Sequence, residues 1–204
     1  NLLGIKRQIG TFQKSKKPIL ISHLKKIIEV ISKETQPKIK LKNKALILIG
    51  FAGGFRRSEL VSIQYEDVEF VPEGVKIFVS RSKTDQSGEG MTKAIPYFEN
   101  TSYCPVISLK NWIDHIKIKD GAIFKMSDKN VSLVIKKYAK LAGLDPSKYS
   151  GHSLRSGFAT STAEFGAEER SIMAMTGHKS TQMVRRYIQE SNLFKQNALN
   201  KIKI

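Results

Sequence analysis

Residues 151–188 read GHSLRSGFATSTAEFGAEERSIMAMTGHKSTQMVRRYI, and this stretch decides how the whole chain is interpreted. It holds His152 and Arg155 three residues apart, His178 beside a glycine, and Tyr187 nine residues later. On a helix, residues at i and i+3 lie on one face, so the first histidine and the arginine can converge on one phosphate. Arginine offers planar bidentate donors, and histidine offers a proton near neutral pH. Taken singly the signals are weak, because His-x-x-Arg recurs by chance and most tyrosines are ordinary aromatics.

Two further basic positions precede this stretch. Residues 53–60 read GGFRRSEL, which places Arg56 at a predicted helix start with Glu59 three residues on. At that spacing the carboxylate could hold the arginine in one rotamer. The alternative is a solvent-exposed ion pair of little energetic value. Lys83 lies in the polar, glycine-rich segment 82–92, where most lysines are solvated but a lysine can also donate a proton to a leaving oxygen.

The chain is strongly basic. Among its 204 residues, 35 Lys and Arg stand against 18 Asp and Glu, which gives a formal net charge of +17 and a pI near 9.9. Such an excess implies a polyanionic partner, because each neutralised phosphate releases condensed counterions and so drives binding. Charge alone fits nucleic acid or an acidic membrane surface, and we favour nucleic acid. The length and the hydrophobic content of 40% are ordinary for one globular domain.

The basic residues are concentrated near the amino end. Positions 1–44 hold twelve Lys or Arg and two acidic residues, Glu29 and Glu34. Because this run crosses two predicted helices and their loops, we favour a phosphate-tracking surface over a solvated helix face. The candidate nucleic-acid contacts are Lys16, Lys17, Lys42, Lys44 and Arg57.

The single cysteine, Cys104, excludes an internal disulfide and any CxxC zinc arrangement. It fits a reducing, cytoplasmic location. No apolar run approaches the ~18 residues of a membrane span, and the amino end lacks the apolar core of a signal peptide. We therefore expect a cytoplasmic protein without a membrane partner.

Hydrophobic periodicity predicts a mainly helical domain. Apolar residues at helical spacing predict a first helix closed by Pro37 and further helices near 41–53, 56–64, 106–117, 128–142, 153–165, 168–175, 180–188 and 192–202. Around a turn at 72–74, alternation predicts a β-hairpin built on Val68, Phe70, Val75, Ile77 and Val79. Residues Lys93–Phe98 would form a third strand. The expected fold class is mixed, mainly α with a small three-stranded antiparallel β-sheet.

The joint order of these motifs carries more information than any one of them. Gly-x-Arg-x-Ser-Glu-Leu, a lysine after a hairpin, His-x-x-Arg and Gly-His-x8-Tyr together resemble the tyrosine recombinases, or phage integrases. The resemblance covers about residues 20–189 and is strongest in 151–160 and 176–188. Those two segments look like the integrases of temperate phages and genomic islands, which are mobile genetic elements. The resemblance implies the catalytic-domain fold of the DNA breaking-rejoining enzymes.

By this resemblance, Tyr187 would be the nucleophile, and Arg56 and Arg155 would clamp the scissile phosphate. Glu59 would contact Arg56 and hold its side chain in place. Arg57 competes with Arg56 for the first clamp position, but the spacing to the following Ser-Glu-Leu favours Arg56.

The remaining site roles also come from the resemblance. His152 would act in general acid–base catalysis, and His178 would hydrogen-bond the scissile phosphate. Lys83 would protonate the 5′-oxygen leaving group, with Lys93 as the alternative. The family usually carries bulkier residues than the Ser-Gly pair at 156–157, which bears on local helix packing and not on the chemistry.

The implied activity is site-specific DNA recombination on double-stranded DNA. A tyrosine would cleave one strand to give a 3′-phosphotyrosyl intermediate and a free 5′-hydroxyl, and strand exchange and religation would follow. We expect no cofactor or metal ion, because the chain shows no P-loop and no convincing acidic ligand cluster. Relatives that share this chemistry are Xer-type resolvases, invertases and type IB topoisomerases. The alternatives outside it are a non-catalytic DNA-binding regulator that retains the fold, and a basic RNA- or membrane-binding module.

The resemblance also divides the chain. Residues 1–18 would be an interdomain linker, 19–190 the catalytic domain, and 191–204 a carboxy-terminal tail. The chain begins at Asn1, so we expect a fragment that lacks the family's amino-terminal core-binding domain. The tail carries an apolar stripe that would pack on its own domain or, as we slightly favour, dock on a neighbouring subunit of a homo-tetramer on DNA.

Overall fold

In this computed structural model, residues 16–80, 90–177 and 180–192 are described. The eleven regular elements within them are α1 (Ile21–Ser32), α2 (Pro37–Ala52), α3 (Arg57–Ser62), β1 (Val68–Val71), β2 (Gly74–Val79), β3 (Met91–Pro96), α4 (Pro105–Ile116), α5 (Asp128–Leu141), α6 (His152–Glu164), α7 (Glu169–Thr176) and α8 (Thr181–Asn192). Short 3₁₀ turns occur at Tyr65–Asp67, Thr101–Tyr103 and Pro146–Lys148. The strands form one antiparallel sheet in the order β1-β2-β3. The predicted fold class is confirmed.

The sheet has one face toward the core. In β2, Val75, Ile77 and Val79 are buried and alternate with exposed side chains, as the period of two requires. On β3 the buried positions are Lys93 and Ile95. A lysine therefore occupies a position on the apolar face of the sheet, which matters for the site below.

Helix α2 lies at the centre of the domain. Its residues from Ala45 to Ala52 are all buried, and it packs against α1, α4 and α6. The sequence predicted this helix from residue 41, but it begins at Pro37, because a proline in the first helical turn costs no hydrogen bond. The carboxyl end of α2 leads directly into the Gly53–Gly54 turn, and the turn carries the chain to α3.

The chain at the end of the predicted linker is held against α6 and the turn before it. The Lys17 N–H donates to the Lys148 carbonyl at 2.8 Å, and the Ile19 N–H donates to the Ser153 carbonyl at 2.9 Å. A Cβ atom at Gly157 would lie 2.1 Å from the Ile19 carbonyl oxygen. A glycine is therefore required where the resemblance to the family predicted a larger residue, because two backbones touch there.

The carboxy-terminal helix α8 packs on α6 and α7. Its buried residues Val184 and Tyr187 join Ala159, Ala163 and Ile172 in a second, smaller apolar cluster. Helix α8 ends at Asn192, four residues beyond its predicted end. The helix predicted at 192–202 lies outside the described residues apart from its first position. Among the described helices, none combines the length and apolar character that crossing a bilayer requires.

Candidate functional site

Arg56 lies immediately before α3, and Glu59 holds it there. One carboxylate oxygen accepts from the Arg56 backbone N–H at 2.9 Å, and the other accepts from its guanidinium at 2.5 Å. The Glu59 side chain is 1% exposed and that of Arg56 is 20% exposed. The pair is thus a buried, two-point contact that fixes the arginine, and not the exposed ion pair of the alternative interpretation.

Arg155 projects from the first turn of α6 into the interior and is 1% exposed. Its Nη1 donates to the Gly54 carbonyl at 2.8 Å, while its Nη2 is buried without a hydrogen-bond partner among the described residues. Burial and the nearby charge of Arg56 lower the pKa of Arg155 to about 10, against the opposing effects of Glu59 and Tyr187. A buried guanidinium donor without an acceptor is costly in free energy. An anionic ligand oxygen would satisfy it.

The carbonyl that orients Arg155 belongs to a glycine for a steric reason. Gly54 has φ of +54°, and a Cβ atom there would lie 3.0 Å from the Phe158 ring. A side chain would be strained both by the backbone angle and by the aromatic neighbour. The double glycine of the GGFRRSEL stretch is therefore part of how the arginine is positioned.

His152 is the first residue of α6, one helical turn before Arg155, and its side chain remains open to solvent. Nearby protein atoms, together with the positive charges of Arg155, Arg56 and Arg57, lower its pKa below the usual 6.5. The imidazole is therefore largely neutral at pH 7 and can accept a proton.

Tyr187 lies on α8 and is 8% exposed, packed within the second apolar cluster. It lies close enough to Arg155 for its charge to act on the guanidinium. An ion pair between Arg185 and Glu169 at 3.3 Å joins α8 to α7. The structure thus brings together four of the six predicted catalytic residues, from the residue before α3 and from α6 and α8.

The other two, Lys83 and His178, lie outside the described residues. Lys83 belongs to the segment between β2 and β3, and His178 directly follows Gly177, which caps α7 in a left-handed conformation.

Lys93 was expected only as an alternative to Lys83, and its actual location was not predicted. It is fully buried, donates to the Gly53 carbonyl at 2.8 Å and to the Met175 carbonyl, and lies 4.7 Å above the centre of the Phe55 ring. Desolvation lowers its pKa to about 7, partly opposed by Glu59. The period-two alternation that pairs position 93 with buried Ile95 was the sequence signal that could have placed it inward.

The five candidate nucleic-acid contacts differ in their exposure and in the part of the domain where they lie. Arg57 is exposed, lies over Gly151 next to His152, and reaches Asp128 at 3.8 Å and Ser132 at 3.3 Å.

Lys16 and Lys17 are exposed beside the start of α6, and the Lys16 ammonium donates to the Ser147 carbonyl at 2.7 Å. Lys42 and Lys44 are half-buried on α2, and Lys42 lies about ten residues, or roughly 15 Å, before the end of α2 that reaches the site. Lys42 instead lines a separate cleft with Lys38, Lys117, Lys119 and Lys125. Arg57 is therefore next to His152, Lys16 and Lys17 lie against the turn that precedes α6, and Lys42 faces a separate cleft.

Comparison with known proteins agrees with this geometry. Residues 21–193 match the model of the phage integrase family. An integrase/recombinase xerD homolog from Selenomonas ruminantium is 48% identical over 211 residues, covering 98% of this chain and 61% of the relative. Tyrosine recombinase XerA from Pyrococcus furiosus is 28% identical, covering 80% of this chain and 54% of the relative. The chain thus spans between about half and three fifths of the length of these relatives.

Solved structures show the same fold. XerH site-specific recombinase, bound to a palindromic difH substrate in a post-cleavage complex, has a TM-score of 0.70 at 20% identity, covering 90% of this chain and 54% of that one. A lambda integrase dimer bound to a COC′ core site has a TM-score of 0.61 at 18% identity, covering 98% of this chain and 55% of that one.

Proposed function

Because the chain belongs to the phage integrase family of tyrosine recombinases, we propose that it is the catalytic part of a site-specific DNA recombinase. The phenolic oxygen of Tyr187 attacks one phosphodiester of duplex DNA. A 3′-phosphotyrosyl bond forms, the bond to the 5′-oxygen breaks, and that oxygen leaves as a hydroxyl. A 5′-hydroxyl from another strand then attacks the phosphotyrosine and releases Tyr187. Since the covalent link retains the bond energy, no nucleotide cofactor is required.

The observation that carries the proposal is the buried Nη2 of Arg155, which finds no hydrogen-bond acceptor in the described part of the chain and lies near the fixed guanidinium of Arg56. Phosphoryl transfer spreads negative charge over the non-bridging oxygens, and donors already in place stabilise that charge without reorganisation. The two arginines come from different helices and are each held by a protein acceptor, Glu59 and Gly54. This arrangement suits a phosphate, because the nucleophile candidate Tyr187 lies close enough to Arg155 for the two groups to interact electrostatically.

Proton transfer follows from the ordinary chemistry of the groups. A phenol with a pKa near 10 is mostly protonated at pH 7, so it must lose its proton during attack. Neutral His152 is the proposed base, and the nearby arginines favour the phenolate. Lys83 is the proposed acid for the 5′-oxygen, and His178 the proposed donor to a non-bridging oxygen. These last two roles rest on the sequence motifs.

The proposed partner is double-stranded DNA. The formal net charge of +17 and the exposed side chains of Arg57, Lys16 and Lys17 supply phosphate contacts that neutralise the DNA backbone. We propose Lys42 and Lys44 as outlying contacts. The proposed chemistry is the one that integrases and Xer recombinases share.

We further propose the division into a linker at 1–18, a catalytic domain at 19–190 and a tail at 191–204, joined in the whole protein to an amino-terminal core-binding domain. The apolar stripe of the tail comprises Leu193, Phe194, Ala198, Leu199 and Ile202. An apolar groove bordered by Leu24, Phe51, Phe158 and Phe165 offers a matching surface, and Phe165 is 80% exposed. Docking of the tail on a neighbouring subunit would link a homo-tetramer.

Covalent trapping tests the proposed function. Full-length protein would be incubated in EDTA with labelled nicked duplexes drawn from the DNA flanking the gene, and the products separated on a denaturing gel. We expect a slow protein–DNA band that is lost in Tyr187→Phe and retained in Tyr97→Phe, since Tyr97 is an exposed tyrosine after β3. A band that persists in Tyr187→Phe would move the nucleophile elsewhere. Tight duplex binding with no band on any flanking sequence would favour the non-catalytic regulator.

A further inference from the structure

Lys93 occupies a point where three parts of the domain meet. It comes from β3, on the face of the sheet that is turned to the core. Its Nζ reaches the Gly53 carbonyl in the turn after α2, and the Met175 carbonyl near the end of α7. The ring of Phe55 lies beneath the amino group at 4.7 Å. The nitrogen is therefore enclosed by two acceptors and an aromatic face.

Each of the two carbonyls adjoins a catalytic segment. Gly53 is followed by Gly54, whose carbonyl accepts the hydrogen bond from Arg155. Met175 precedes position 178 by three residues, just before the capping Gly177. One buried side chain thus connects the turn that orients an arginine to the segment that leads to the second histidine.

We propose that Lys93 is a positioning residue that joins the Gly53–Gly54 turn to the end of α7 and so holds Arg155 in its productive orientation. This inference rests on the proposed function. Lys93 acts through Arg155 and donates no proton to the DNA.

The chemistry of the amine supports a positioning role. Burial lowers the pKa of Lys93 to about 7, so both protonation states are populated near neutrality. A neutral amine still has two N–H groups, which match the two carbonyl acceptors one for one. The link therefore persists in either state. A leaving-group acid needs a path to the 5′-oxygen, whereas this nitrogen is 0% exposed and directed at backbone carbonyls.

The test separates positioning from acid catalysis with a sulfur substrate. In a duplex whose scissile 5′-oxygen is replaced by sulfur, the leaving thiol has a pKa near 8.5 and departs without an acid. Single-turnover formation of the covalent complex would be measured on the oxygen and sulfur duplexes with full-length protein. We expect Lys93→Met, which keeps the length of the side chain, to slow both by a similar factor, on the order of 10²-fold. Lys83→Ala should be slow on the oxygen duplex alone.

A double-mutant cycle with Arg155→Lys measures whether the rate defects of the two variants are coupled. A general loss of stability at Lys93 would not produce such coupling. If Lys93 acts through Arg155, the two defects will be clearly less than multiplicative, because each removes the same orientation. Lys76→Met is the matched control, since Lys76 is an exposed lysine of the neighbouring strand whose ion-pair partner is Glu69. It should cleave at the wild-type rate.

The rates of these variants on the two duplexes distinguish a positioning role from acid catalysis. Rescue of Lys93→Met by sulfur would make Lys93 the acid and overturn the proposal. Wild-type rates for Lys93→Met on both duplexes, or fully multiplicative defects in the cycle, would also overturn it. If Lys93→Met does not fold, Lys93→Leu, which also lacks any N–H donor, carries the same comparisons. If wild-type protein forms no covalent complex with any duplex, the proposed function fails instead.

Discussion

Glu59 accepts two hydrogen bonds from Arg56, one from its backbone N–H at 2.9 Å and one from its guanidinium at 2.5 Å. The carboxylate is 1% exposed, so water cannot replace either contact. The first arginine of the site is therefore fixed in both backbone and side chain before any DNA arrives.

Glu59→Gln should impair catalysis more than DNA binding. An amide has one oxygen acceptor, and its NH₂ group would face one of the two donors of Arg56, so one contact becomes repulsive. We expect single-turnover cleavage to fall about 10- to 100-fold with little change in the Kd for duplex DNA. Quench-flow rates at saturating DNA measure this, and an unchanged rate would contradict the assigned role.

Arg155→Lys should be severe despite retaining charge. An ammonium cannot donate to the Gly54 carbonyl and also present a planar pair of donors to a phosphate. By analogy with the loss of one oxyanion-hole donor, the rate of covalent complex formation should drop about 10²–10³-fold. Circular dichroism would verify that the variant is folded, and a near-normal rate would remove Arg155 from the clamp.

Arg57→Gln should weaken binding without regard to DNA sequence. Its guanidinium is exposed next to His152, with a 3.8 Å pairing to Asp128 and a 3.3 Å hydrogen bond to Ser132. An exposed charge of this kind contributes to DNA binding through counterion release. The slope of log K against log salt should become shallower by about one. Fluorescence anisotropy on cognate and scrambled duplexes measures the slope. A loss confined to the cognate duplex would mean that Arg57 reads bases.

The pH profile should report His152. Its pKa lies below 6.5 because neighbouring protein atoms partly desolvate the imidazole and the adjacent arginines disfavour its positive charge, so the neutral base form predominates at pH 7. Covalent cleavage at subsaturating DNA should stay level as pH falls to about 6.5 and decline below that value. The decline should vanish in His152→Asn, which is slow at every pH. An acid limb that survives this substitution would belong to another group.

Lys93 should make stability depend on pH. Its pKa is about 7 in the folded chain against 10.5 ordinarily, so between these values the unfolded chain binds more protons. The free energy of unfolding of the wild type, relative to Lys93→Met, should therefore rise from pH 7 to pH 10.5, by at most about 1.4 kcal/mol per pH unit. Below pH 7 the difference should be constant. Urea denaturation at several pH values measures it, and a flat difference throughout would place the ammonium in a more polar environment.

Local patterns accounted for most of the fold. The hairpin and the helices follow from residue spacing, and the i, i+3 positions of Arg56 and Glu59 already indicated their contact. The start of α2 at Pro37 was missed because proline was taken only as a terminator. The alternation in β3 could have placed Lys93 inward, but its two acceptors, Gly53 and Met175, are distant in sequence and no local pattern identifies them.

The contact between Ile19 and Gly157 has a mechanical consequence. Backbone lies on backbone there, with the Ile19 N–H bonded to Ser153 at 2.9 Å, and no flexible side chain intervenes to absorb displacement. The contact lies within one and a half turns of His152 and of Arg155 on the same helix. A force applied to the chain ahead of Ile19 is therefore transmitted directly to α6, the helix that carries His152 and Arg155.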